Sequence, residues 1–158
     1  MERLNNEQHE VTDIIECLEG NDCRIKKVKE SDDNVNSVVA TKRYDSKVFK
    51  FNIEYHAEYE IVYLATQCKK AVPLDKYYLT MDALNQLSLT DIRVNFALCP
   101  KTFRMFCFDV VPFTNYSGDE ITIEIFNAAL WYGMRSLNDI SKSIKTNDNL
   151  EDIMKESL

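Results

Sequence analysis

Glycine and proline are scarce in this chain, with three of each in 158 residues. That leaves little room for long flexible linkers. A glycine-rich phosphate loop is excluded, because Gly20, Gly118 and Gly133 stand alone. Histidine is scarcer still. His9 and His56 form no HxH, HExxH or mixed Cys/His cluster, so no metal or cofactor is read from the sequence. The five cysteines, Cys17, Cys23, Cys68, Cys99 and Cys107, are odd in number and make no CxxC pair. Free thiols in a reducing cytosol are expected. The first ten residues, MERLNNEQHE, are too polar for a secretory signal. No apolar run approaches the ~20 residues of a membrane-spanning helix. The longest, around Met105–Val111, is interrupted by Asp109. A cytoplasmic location follows as an expectation.

Positive charge is also in deficit. The formal net charge is −7, which argues against nucleic acid, since phosphate neutralisation needs clustered Lys and Arg. One basic stretch, Arg24-Ile-Lys-Lys-Val-Lys29, is followed directly by Glu30, Asp32 and Asp33 and reads as a solvated strand balanced by an acidic turn. The hydrophobic fraction of 45% and the charged fraction of 28% are those of an ordinary globular domain. A domain of this size buries roughly 70% of the surface its unfolded chain exposes, so it needs no covalent staples.

The residues present give a clear order of elements. Asn5 or Asn6 can cap a first helix running to about Glu19, with Val11, Ile14, Ile15 and Leu18 as its stripe and Gly20-Asn21 as an αL-tolerant end. Residues 23–30 read as an exposed edge strand, and Val35–Arg43 as a second strand or an extended loop. In VFKFNIEY, Phe49, Phe51, Ile53 and Tyr55 alternate with Lys50, Asn52 and Glu54, the pattern of a half-buried antiparallel strand. His56-Ala57 is read as a tight connection to Glu58–Gln67, which is apolar on both faces at its centre and so belongs deeper in the sheet. A helix over about Asp75–Leu87 carries Tyr78, Met81, Leu84 and Leu87 or Ala83. Two strands follow, Ile92–Leu98 and Phe103–Phe113, joined by a Cys99-Pro-Lys-Thr102 turn. In the second, Phe103, Met105 and Cys107 oppose Phe106, Phe108 and Val110.

A long helix over Asp119–Ile144 organises the whole. Ile121, Ile125, Ala128, Tyr132, Leu137, Ile140 and Ile144 form its stripe, flanked by Phe126, Leu130 and Gly133 on one side and by Trp131 and Met134 on the other. Ser117 or Asp119 is its candidate N-cap. Glu120 and Glu124 make its first turn acidic and a poor anion site. Residues 1–146 form a single α+β domain and 147–158 a polar C-terminal tail with one short helix at Leu150–Ser157. The expected architecture is an antiparallel sheet of five or six strands covered on one face by helices, in the order α-β-β-β(-β)-α-β-β-α.

Catalytic constellations are not found. His56 and Cys68 fall at opposite ends of one strand, over ~30 Å apart if extended. Carboxylate pairs such as Glu54 with Glu58 or Glu60 lie on the water face of strands, where they solubilise. The chain is therefore expected to be no enzyme. The aromatic residues are the remaining signal, with Tyr55, Tyr59, Tyr63, Tyr77, Tyr78 and Tyr132 either rimming a core or lining an interaction surface.

Three stretches, FKFNIEYHAEYEIVYLA, MDALNQLSLTDIRVNFAL and FRMFCFDVVPF leading into the long helix, resemble the YbjN-like family of bacterial proteins over about residues 8–145. Asn85 looks like the Asn that commonly ends the family's middle helix. The resemblance implies the fold of type III secretion chaperones: a helix, three antiparallel strands, a helix, two strands and a last helix. Val35–Arg43 is additional to that pattern, and Pro100-Lys-Thr replaces its usual Gly- or Asp-rich turn. What it implies for function is a non-enzymatic, often dimeric protein that binds another protein. The doubly apolar strand puts Phe106, Phe108 and Val110 at such a surface, and the surplus width of the long helix adds Trp131 and Met134. The expected partner is a protein, with a homodimer as one form; no nucleic acid and no membrane are expected. The alternative is a small ligand-binding domain or enzyme with a pocket between the sheet and the long helix.

Overall fold

The computed structural model describes residues 2–30, 35–91, 93–113 and 120–146. The chain runs α1 (Glu2–Gly20), β1 (Arg24–Lys29), β2 (Val35–Tyr44), β3 (Lys47–His56), β4 (Ile61–Cys68), a 3₁₀ turn (Leu74–Lys76), α2 (Tyr77–Thr90), β5 (Asn95–Leu98), β6 (Met105–Pro112) and α3 (Glu120–Thr146). The six strands make one antiparallel sheet in the order β1-β2-β3-β4-β6-β5. This is the expected α+β fold with helices on one face. Val35–Tyr44 is a full strand, paired residue for residue with β3.

Sheet register follows from the alternating pattern of β3. Phe49, Phe51, Ile53 and Tyr55 point to the helices and are almost completely buried. Directly opposite on β4 lie Cys68, Thr66, Leu64 and Val62, which are buried with them. Burial of each large apolar side chain contributes about 1.5–3 kcal/mol, and a one-residue slip would turn the whole set into water. The β2–β3 connection is a two-residue turn, with Asp45 at φ 49° and Ser46 at φ 62°. Two successive left-handed residues are the geometry that matches the strands' twist. The β3–β4 connection is longer than the predicted His56-Ala57: Tyr59 N–H donates to His56 C=O and Glu60 N–H to Ala57 C=O. Pairing resumes at Ile61, leaving Tyr59 in solvent.

Helix ends and faces differ from the sequence reading in three places. α1 already runs at Glu2, so Asn5 and Asn6 lie inside it. Its left-handed terminal residue is Asp22, at φ 59°, rather than Gly20 or Asn21. Cys23 N–H donates to Leu18 C=O and Asp22 N–H to Glu19 C=O, the paired bonds of a Schellman end. α2 buries Thr80, Ala83, Leu84 and Leu87, while Tyr78 is exposed, because at ~3.6 residues per turn it lies about 120° around the helix from Leu84.

The third difference concerns α3. Phe126, Leu130, Met134 and Leu137 are buried against the sheet, with Gly133 between them. The residues predicted to centre the stripe, Ile125 and Tyr132, are 43% and 37% exposed, and Ala128 is exposed beside them. The later part of the expected stripe, Leu137, Ile140 and Ile144, is buried as read, but before it the flanking Phe126, Leu130 and Met134 pack instead, which leaves a second apolar stripe on the outside. The close approach depends on Gly133, where a Cβ would lie 2.6 Å from Cys107 Sγ and 3.4 Å from Thr66 Oγ1. The candidate N-caps Ser117 and Asp119, the side chains of Glu120 and Ile121, Ile92 and the 147–158 tail lie outside the described residues.

Candidate functional site

β5 is four residues long and pairs with Met105–Phe108, the first half of β6. Beyond Phe108, no described strand pairs with Asp109–Pro112 on that side. Phe113 N–H donates to Glu60 C=O on the β4 side. By the alternation of an antiparallel strand, Val111 and Asp109 also address β4, while Val110 and Pro112 turn their backbone groups to the open edge. β5's own outer edge is occupied, since Phe96 N–H donates to Ser88 Oγ at the end of α2.

The unpaired half of β6 faces the second apolar stripe of α3 across a groove of about 700 Å³. Val110, Val111 and Pro112 form one wall, and Ile125, Ala128 and Ala129 the other. Polar groups enter at one end: Asp109, Arg93 and Tyr132. Tyr132 rests edge-on against Phe96, with ring centroids 6.2 Å apart.

Asp109 is the anomaly of β6. It stands opposite Leu64, on the helix-facing side of the sheet with Cys107 and Val111, and is half-buried. Burial pushes its carboxyl up from the ordinary range; the Arg93 charge and the neighbouring Val110 N–H pull it back, and Asp91 opposes them. Arg93 is shared, because it also pairs with Asp91 at 3.5 Å. Burial likewise raises the Tyr132 hydroxyl, helped by Asp91, and Ser136 acts against it. One carboxylate, one guanidinium and one hydroxyl thus converge on an otherwise apolar cleft, with Asp91 paired to the guanidinium.

The face of the sheet that no described helix covers, hereafter the uncovered face, carries a second, shallower feature. Tyr63 and Phe108 stack at 5.7 Å and 24°, His56 stands edge-on to Tyr63 at 4.7 Å, and Glu54 pairs with His56 at 3.2 Å. With Asn52 and Ala65 they line a depression of about 320 Å³.

The sequence-predicted contact residues separate into three groups. Phe106 and Phe108 lie on the uncovered sheet face, each half-buried, and Val110 reaches the groove rim at 44% exposure. Trp131 is committed inside the molecule. Its Nε1–H donates to Asn21 Oδ1 at 2.8 Å, Tyr44 meets it edge-on, and Lys42 and Arg135 lie over its ring. Met134 is 0% exposed and packs in the core, so it offers a partner nothing. Its helical phase places it on the packing stripe, which corrects its assignment to a contact surface.

His56 lies opposite Ile61 while Cys68 lies opposite Phe49, so the pair is held at opposite ends of β4 as its spacing required. Cys99 and Cys107 do not meet as a pair: Cys99 sits in the β5–β6 turn and Cys107 in the core. The described residues contain no cluster of three or more His, Cys, Asp or Glu able to hold a metal ion. None of the described helices is long and apolar enough to cross a membrane.

Asp109 and Arg93 were not recognised as site residues from sequence. The available signal was a carboxylate at an inward-facing position of an otherwise apolar strand. No family model, no curated protein and no solved structure matches this chain.

Proposed function

We propose that this chain is a non-enzymatic protein-interaction module, chaperone-like or regulatory, that works in the cytoplasm by binding a protein partner. The observation that carries the reading is the exposed apolar stripe Ile125, Ala128 and Tyr132, set across a groove from an unpaired length of β6. A helix spends apolar residues on solvent where something covers them, and contiguous apolar clefts rimmed by polar groups mark interaction sites. Phe106 and Phe108 on the uncovered sheet face extend the apolar area. The resemblance to YbjN-like proteins supports the same reading, though this sheet has one strand more than that pattern implies.

A second reading, a ligand-binding domain or enzyme using the same cleft, is favoured by the convergence of Asp109, Arg93 and Tyr132 in about 700 Å³, a volume in the range of small-molecule sites. Co-purification from native extract with the wild-type chain, Ala128→Glu and Phe108→Ser separates the two. The interaction reading expects a stoichiometric protein, or a second copy of the chain, that is lost in at least one variant. Retention of a tightly bound small molecule with no protein would establish the second reading instead.

A further inference from the structure

From the geometry of the β6 edge, we infer that the groove accepts an extended peptide as an added strand beside Asp109–Pro112, with a lysine or arginine of that peptide reaching Asp109. This rests on the interaction reading and names the chemistry of its partner.

The backbone makes the first part of the case. Phe108 is paired to Asn95 of β5, and Val110 is the next residue turned to that side. Its backbone groups face the open edge, where no described strand pairs with them. An incoming strand can accept from the Val110 N–H and leave the Asp109 carboxylate to a donor on one of its own side chains. Edge addition of this kind draws affinity from main-chain bonds and specificity from alternate side chains.

Side-chain parity makes the second part. Residues opposite Asp109 and Val111 would point into the groove, against Ile125, Ala128 and Ala129, and the residue between them would point away. Charge decides what stands opposite Asp109. Asp91, Asp109 and Arg93 sum to −1, and Arg93 is already divided between the two carboxylates. A cation fits there and an acid is repelled. The ligand therefore carries a basic and an apolar residue two positions apart in an extended segment.

The test titrates the isotope-labelled full chain with two blocked seven-residue peptides, TLTKTVT and TLTETVT, followed by amide chemical shifts. The lysine peptide is expected to bind about tenfold or more tightly than the glutamate peptide, with shifts centred on Val110, Arg93 and Tyr132. Asp109→Asn should remove the difference between the peptides. Ala128→Glu, at an exposed position, should block both without touching the core. Equal binding of the two peptides, shifts centred on β1 or on the uncovered sheet face, or no binding at millimolar concentration overturns the inference. So does n-butylamine shifting the same amides as strongly as the lysine peptide, which would mean a small-cation site. A partner that co-purifies and is lost with Ala128→Glu, while the peptides fail, leaves the interaction reading standing and removes strand addition alone.

Discussion

Gly133 on α3 and Cys107 on β6 meet so closely that a Cβ on the glycine would lie 2.6 Å from the sulfur. That contact sets how near the long helix can come to the sheet, and so sets the depth of the groove beside it. Gly133→Ala gains about 1 kcal/mol of helix propensity but overpacks a core in which Cys107 is 2% exposed, at a cost of about 1–3 kcal/mol. The net outcome expected in urea denaturation is destabilisation, largely recovered in the double variant with Cys107→Ala. A neutral or stabilising single variant would show that helix and sheet are not in tight contact here.

Thiol chemistry should rank the cysteines in an order that follows their environments. Hydrogen bonds from Thr102 and Lys101 draw the Cys99 thiol below its ordinary pKa. Burial pushes Cys107 up to about 12 and Cys23 to about 11. The thiolate is the reactive form, so at pH 8 iodoacetamide should label Cys99 first and leave Cys107 and Cys23 unmodified until the chain unfolds. Peptide mass mapping over time reads the order; early labelling of Cys107 would contradict its placement.

Asp22→Gly should stabilise the protein. Asp22 holds a left-handed conformation at the Schellman end of α1, which costs a residue with a Cβ about 1–2 kcal/mol and costs glycine little. A midpoint increase in thermal denaturation is expected, equivalent to about 0.5–1 kcal/mol after glycine's greater unfolded-state entropy is subtracted. No increase, or a decrease, would mean that Asp22 makes compensating contacts.

The β2–β3 turn is pinned to the end of α3 by a chain of polar contacts. Lys47 Nζ donates to Asn138 Oδ1 at 2.8 Å, Asn138 Nδ2 donates to Asp45 Oδ2 at 3.0 Å, and Lys142 pairs with Asp45 at 2.6 Å. Lys47 and Asn138 are buried, so Asn138→Ala leaves a buried ammonium without that acceptor and should cost about 2–3 kcal/mol. The Asn138 and Lys142 hydrogen bonds hold the Asp45 carboxyl below its ordinary pKa. Its contribution is present above the unfolded value of about 3.9 and is lost as pH falls through the lower folded value. Asp45→Asn should therefore flatten the acid limb of the stability profile below about pH 4 while lowering stability at neutral pH. An unchanged acid limb would remove Asp45 from the account.

β3 was legible because its two faces differ in chemistry: Phe49, Phe51, Ile53 and Tyr55 can all be buried while Lys50, Asn52 and Glu54 meet water. The packing face of α3 was harder to read. Ile125, Ala128 and Tyr132 are as regularly spaced as Phe126, Leu130 and Met134, and periodicity alone does not say which stripe meets the sheet. Gly133 decides it, since a helix packed closely against a sheet turns its smallest residue inward. A cleft between the sheet and the long helix was legible as an alternative, but its position beside the second half of β6 was not. It arises because β5 stops opposite Phe108, and the extent of a pairing between separate strands is not written in the local pattern of either one. Even so, Asp109 stood out as the break in the longest apolar run.

β1, at the far side of the sheet, treats a visitor differently from β6. Its register shifts between Ile25 and Lys27, and Arg24, Lys26, Lys27 and Lys29 stud its six residues. Two molecules approaching through this strand about a two-fold axis would set those cations against their own copies. Pairing of β1 with its own copy is thereby disfavoured, and a lysine-bearing strand of the kind inferred for Asp109 would be repelled from the opposite border of the same molecule.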